Sequence, residues 1–76
     1  MNKQIISRLG KHQALIDLVT YLAQQPTATN QAIADHFGKA LPTVNNQLST
    51  VYILLGYTGT NTAKRIRLIT ELGGKQ

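Results

Sequence analysis

Apolar residues along this chain fall mostly at helical spacing. Between Lys11 and Gln24, Ala14, Leu15, Leu18, Val19 and Leu22 recur at the intervals that put them on one side of a helix. Pro26 excludes the residue before it from the helical region, so this helix should end near Gln24 or Gln25. The segment Asn30 to Phe37 predicts a short second helix burying Ile33, Ala34 and Phe37. Thr29 stands where an N-cap is wanted, and Gly38 where a left-handed residue closes a helix. Pro42 suits the first turn of a third helix, where its missing N–H would have no partner. That helix runs to Leu55 with Val44, Leu48, Val51 and Leu55 on one line, and Gly56 ends it.

The two ends of the chain are less uniform. Residues 1–10 set Ile5, Ile6 and Leu9 among polar neighbours and read as a short helix or an ordered arm, with Gly10 as the break. Thr58 to Thr62 is loop and cap material. Ala63 to Leu72 reads in two ways. As a helix it stacks Ala63, Ile66, Ile69 or Thr70, and Leu72 along one side; as a strand, Arg65-Ile66-Arg67-Leu68 alternates with period two. The helix is preferred, which makes the chain an all-α, four-helix domain spanning residues 1–76, with the arm at its start.

Composition narrows the function. A domain of 76 residues buries only about 60% of the surface of its unfolded chain, so it depends on good patterning or a partner. There is no cysteine, and His12 and His36 stand far apart among three acids, so no metal site or cofactor is expected. No apolar run approaches the roughly eighteen residues of a membrane span, and no signal peptide is read. A cytoplasmic protein without a membrane partner is expected. No nucleophile, base and acid can be assembled, so no enzymatic activity is expected.

Net charge is +5 and the isoelectric point about 10.0, which favours an anionic partner. The charge is concentrated at the ends, in Lys3, Arg8 and Lys11 and in Lys64, Arg65, Arg67 and Lys75. Residues 12 to 63 carry only Asp17, Asp35 and Lys39, and are rich in Asn, Gln and Thr. Specificity there must come from hydrogen bonds and shape.

Two short helices joined by a tight turn, with Ala34 and Gly38 at fixed offsets before Val44, read as helix-turn-helix. A small residue at Ala34 lets the helices cross closely, Gly38 permits the chain reversal, and Val44 fills the angle between them. Within this frame, Leu48-Ser49-Thr50-Val51-Tyr52-Ile53-Leu54-Leu55-Gly56 resembles the end of the recognition helix of LuxR/GerE-type regulators, typically Leu-Ser-Asn-Ile-Tyr-x-x-Leu-Gly. Asn30-Gln31-Ala32-Ile33-Ala34, Gly38, Thr43-Val44 and Asn46 fit the same family's second and third helices, and Asn61-Thr62-Ala63 the start of its fourth. The likeness covers about residues 28 to 68. Asn45, Ser49, Ile53 and Leu54 stand where the family is commonly basic or charged, so its DNA sequence preference does not carry over.

The resemblance implies a stand-alone, homodimeric transcriptional regulator that binds double-stranded DNA with its third helix, about residues 42–55, in the major groove. It sets Asn45, Asn46 and Ser49 at base-facing positions; amides pair well with the adenine edge. Thr29, Asn30, Lys39, Thr43, Gln47, Lys64 and Arg65 are the candidates for backbone contacts, although Thr29, Asn30 and Thr43 equally suit helix capping. Dimerisation is expected through the last helix, at Ile66, Ile69 and Leu72, and two-fold symmetry then implies a palindromic site. Ile53 and Leu54 exceed what a three-helix core needs; either the N-terminal arm covers them or they join the dimer surface. Two alternatives stand beside this reading. One is a winged helix, with a hairpin wing around Arg65 to Ile69. The other is a protein-interaction module that keeps the frame without binding DNA. A regulatory protein partner is compatible with either.

Overall fold

The computed structural model describes residues 3–73, so Lys75 and the first two residues of the N-terminal arm lie outside the described residues. Five helices follow one another: α1 (Lys3–Leu9), α2 (Gln13–Gln24), α3 (Asn30–Phe37), α4 (Leu41–Leu55) and α5 (Asn61–Gly73). No strand occurs among the described residues, and α5 fills the segment a wing would need. The all-α expectation therefore holds. The count of four does not, because the arm itself forms a helix whose Ile5 and Leu9 are buried in the common core.

The sequence cues act as their chemistry requires. Thr29 caps α3, its Oγ1 accepting the Ala32 N–H at 3.1 Å. Thr60 does the same for α5 by accepting the Ala63 N–H at 3.1 Å. Gly38 closes α3 in the left-handed region at φ 64°, and the next N–H, on Lys39, reaches back to the Ala34 carbonyl at 2.9 Å. Such a closure satisfies carbonyls that the end of a helix would otherwise leave bare. α4 closes in the same way. Gly56 has φ 74°, and the Tyr57 N–H donates to the Tyr52 carbonyl at 2.9 Å.

α3 packs on α4, α1 packs on α4 and α2, and α2 packs on α5 and α4. Val44, Leu48, Val51 and Leu55 are all buried as predicted, joined by Tyr52. Three expectations need correction. Ala14 is exposed beside the buried Leu15, off the line that enters the core, and α2 starts at Gln13 instead of Lys11. Phe37 is only half-buried at the edge of the core. On α5, the buried line is Leu68 and Leu72, four residues apart, and not Ala63 and Ile66, which are exposed. Fully burying each leucine is worth roughly 1.5–3 kcal/mol, which outweighs leaving Ile66 in water once the helix has turned.

Candidate nucleic-acid interface

With its apolar line turned inward, α4 presents the opposite side to solvent. Asn46 lies two residues from both Val44 and Leu48, hence on the far side of the helix from them. Thr43, Asn46, Ser49, Thr50 and Ile53 are all exposed along this ridge. The Thr50 hydroxyl donates back to the Asn46 carbonyl at 3.0 Å, so it is held along the helix. Gln47 is half-buried and lies off the crest. Ala40 precedes the first turn of α4 and offers no side-chain cap, unlike Thr29 on α3.

Asn45 behaves differently from Asn46. Its Oδ1 accepts from Asn30 Nδ2 at 2.9 Å, while Asn30 Oδ1 in turn accepts from Arg65 Nη1. Arg65 Nη2 donates to the Ala28 carbonyl. A relay of side chains thus ties α5 to the loop before α3 and on to α4. Asn45 keeps its amide N–H groups for an outside partner, while one acceptor position of its oxygen is taken by Asn30. Both oxygens around Arg65 are internal, so Arg65 and Asn30 form a tether first, whatever else they touch. Beside this relay runs a cleft of about 290 Å³ floored by Leu48 and Tyr52 and bordered by Ser49 and Ile66.

Two cations flank α4, each resting on an aromatic ring. Lys39 Nζ stands 5.6 Å from the Phe37 ring centroid beside the start of the helix. Lys64 Nζ stands 5.7 Å from the Tyr52 centroid on the α5 side. Such contacts steady a long side chain without neutralising it. Burial pushes the Tyr52 phenol above its ordinary pKa, with the Arg65 charge opposing.

The expected dimer residues are separated by the fold. Ile66 is 60% exposed, Ile69 is half-buried, and Leu72 is a core residue at 7%. Leu72 is therefore unavailable to a second subunit, because its side chain already closes the core with Leu68. Leu54 is half-buried against the core, but Ile53 remains 76% exposed although α1 packs on α4. Helix α1 does not cover it.

A second cluster was not among the sequence expectations, although Arg67 and Glu71 stand at the i, i+4 spacing of a helical ion pair. Tyr57, 6% exposed, donates its hydroxyl to Glu71 Oε1 at 2.6 Å, and Arg67 Nε meets Glu71 Oε2 at 3.1 Å. The Arg67 guanidinium also lies 4.3 Å from the Tyr57 ring centroid. The bond from Tyr57 holds the Glu71 carboxyl below its ordinary pKa, with Arg67 adding to it. Burial raises the Tyr57 phenol, and its bond to Glu71 raises it further. Arg67 and Glu71 are four residues apart on α5, and the closure at Gly56 brings Tyr57 to them. On the other side, His36 stacks on Tyr21 with centroids 4.1 Å apart. Among the described residues no group of three or more His, Cys, Asp or Glu is placed to hold a metal ion, and no helix is long and apolar enough to cross a membrane.

No family model matches the chain, and no curated protein or solved structure is detectably similar to it. The likeness to LuxR/GerE-type regulators accordingly rests on residues 28 to 68 themselves.

Proposed function

We propose that this chain is a sequence-specific, double-stranded DNA-binding transcriptional regulator of LuxR/GerE-like, helix-turn-helix type, acting as a homodimer in the cytoplasm. The observation that carries the reading is the ridge of α4. A rigid helix, fixed by five buried side chains, exposes Thr43, Asn46, Ser49 and Thr50 on its free side. An α-helix with its side chains matches the width of the major groove, and amides and hydroxyls there meet base edges. Asn46 and Ser49 read bases directly, with Asn45 contributing its amide N–H groups. Lys39, Lys64 and Thr43 hold phosphates on either side. Gln47, Thr29, Asn30 and Arg65 serve the frame more than the DNA. The dimer forms through the exposed part of α5, at Ile66 and Ile69.

Selection from a random duplex library, followed by titration at two salt concentrations, tests this reading. The expected result is a two-fold symmetric site with half-sites about 10 base pairs apart, centre to centre. Binding should weaken steeply with salt. No enrichment, together with no salt-dependent binding at low ionic strength, would leave the interaction module as the better account.

A further inference from the structure

We infer that Ile53 is a specificity-determining residue that reads the C5-methyl group of a thymine, about three base pairs along the major groove from the pair read by Asn46. This rests on the DNA-binding reading above and deepens it. α4 is otherwise cleanly sorted, with Val44, Leu48, Val51, Tyr52 and Leu55 buried and Asn46, Ser49 and Thr50 exposed. Ile53 breaks the pattern. Among the described residues it is the more exposed of the two large apolar side chains left in water, at 76%, and it sits three residues from Thr50, four from Ser49 and seven from Asn46. It therefore continues the polar ridge. Helix propensity does not account for it, since a β-branched residue forms helix less readily than Lys, Gln or Glu.

In the groove, however, Ile53 has one good partner. Base edges there offer donors, acceptors and a single apolar group, the thymine methyl. Against any other base, Ile53 would cover a polar atom and leave it unpaired. The register follows from helix geometry. Seven residues advance about 10 Å at 1.5 Å each, and about three base pairs cover that length. Two-fold symmetry places one such thymine in each half-site.

The test replaces each thymine of the selected site, one at a time, with deoxyuridine, which removes only the methyl group. Selection with Asn46→Ala identifies the base pair that Asn46 reads by the preference it loses. With the wild-type protein, binding should fall about fourfold at one thymine roughly three pairs from that position, the factor expected for losing one buried methyl group. Ile53→Ser should bind the thymine and deoxyuridine duplexes equally while keeping the other preferences and the sedimentation behaviour of the wild type. Its exposed position leaves the fold intact. Wild-type indifference to every thymine replacement overturns the inference alone, as does unchanged thymine preference in Ile53→Ser. Loss of the dimer in Ile53→Ser overturns it in favour of a subunit contact. Failure of any duplex to bind overturns the DNA-binding reading together with it.

Discussion

Tyr57 owes its position to the residue before it. Gly56 in the left-handed region turns the chain back, and the Tyr57 ring stacks over Tyr52, with centroids 6.3 Å apart, while its hydroxyl meets Glu71. This contact makes stability depend on pH at both ends. Glu71 is held below its ordinary value of 4.5, so the unfolded chain takes up the proton first as pH falls. Its contribution is present above that value and drains away as pH drops through the lowered folded one. The Tyr57 phenol is raised above 10.0, so its contribution is present below pH 10.0 and is lost as pH climbs toward the folded value. Tyr57→Phe should cost about 1.5 kcal/mol at neutral pH, the low end for a charge-assisted bond because the carboxylate keeps some access to water. That corresponds to roughly 6–12 °C in melting temperature for a domain of this size. Both pH edges should also become shallower. A melting profile of the variant that runs parallel to the wild type across pH 3 to 11 would refute this account. The Arg67–Glu71 ion pair, with its side chains 56% and 36% exposed, adds little by itself.

Among the elements, α1 and α5 show how far the sequence could be read. The three central helices were legible because each carries its own punctuation: Pro26 after α2, Thr29 and Gly38 around α3, Pro42 and Gly56 around α4. α1 has only seven residues, too few for an apolar period to establish a helix, and its stability comes from docking. Leu9, fully buried between α1 and the helices it packs on, should be the anchor. Leu9→Ala is expected to cost about 2–5 kcal/mol, measured by urea unfolding, a large share of a small domain's stability. A cost below 1 kcal/mol would mean that α1 is a dispensable arm after all. On α5 the expected face ran through Ala63, Ile66, Ile69 or Thr70, and Leu72, while the core kept Leu72 and paired it with Leu68. A helix with apolar residues around much of its circumference leaves its rotation to its neighbours, and that information is not local. The candidate interface divides in the same way. The exposure of Asn46 and Ser49 followed from their spacing against Val44 and Leu48. The engagement of Asn30, Asn45 and Arg65 in one relay joins residues up to 35 apart and could not be read from spacing.

At the scale of the whole molecule, the relay separates two kinds of cation that the sequence could not distinguish. Lys39 and Lys64 lie over rings with no ion pair among the described residues, whereas two of the Arg65 guanidinium N–H groups are held by Asn30 and the Ala28 carbonyl. In a symmetric dimer each substitution acts twice. If Lys39 or Lys64 contacts a phosphate, changing it to Ala removes two contacts and should reduce the slope of log K against log salt by about 1.8. Melting temperature should fall by only about 2–8 °C, since exposed cation–π contacts are worth about 0.5–1 kcal/mol. Arg65→Ala should cost more stability and leave the salt dependence alone. It strands the Ala28 carbonyl and the Asn30 amide, lowers the melting temperature, and weakens DNA binding in proportion to the loss of folded protein with the slope unchanged. Fluorescence anisotropy over a salt series, paired with thermal melts of the same three variants, reads both quantities. If Arg65→Ala flattened the slope while leaving the melt untouched, the tether would be secondary and Arg65 would belong with the phosphate-binding residues.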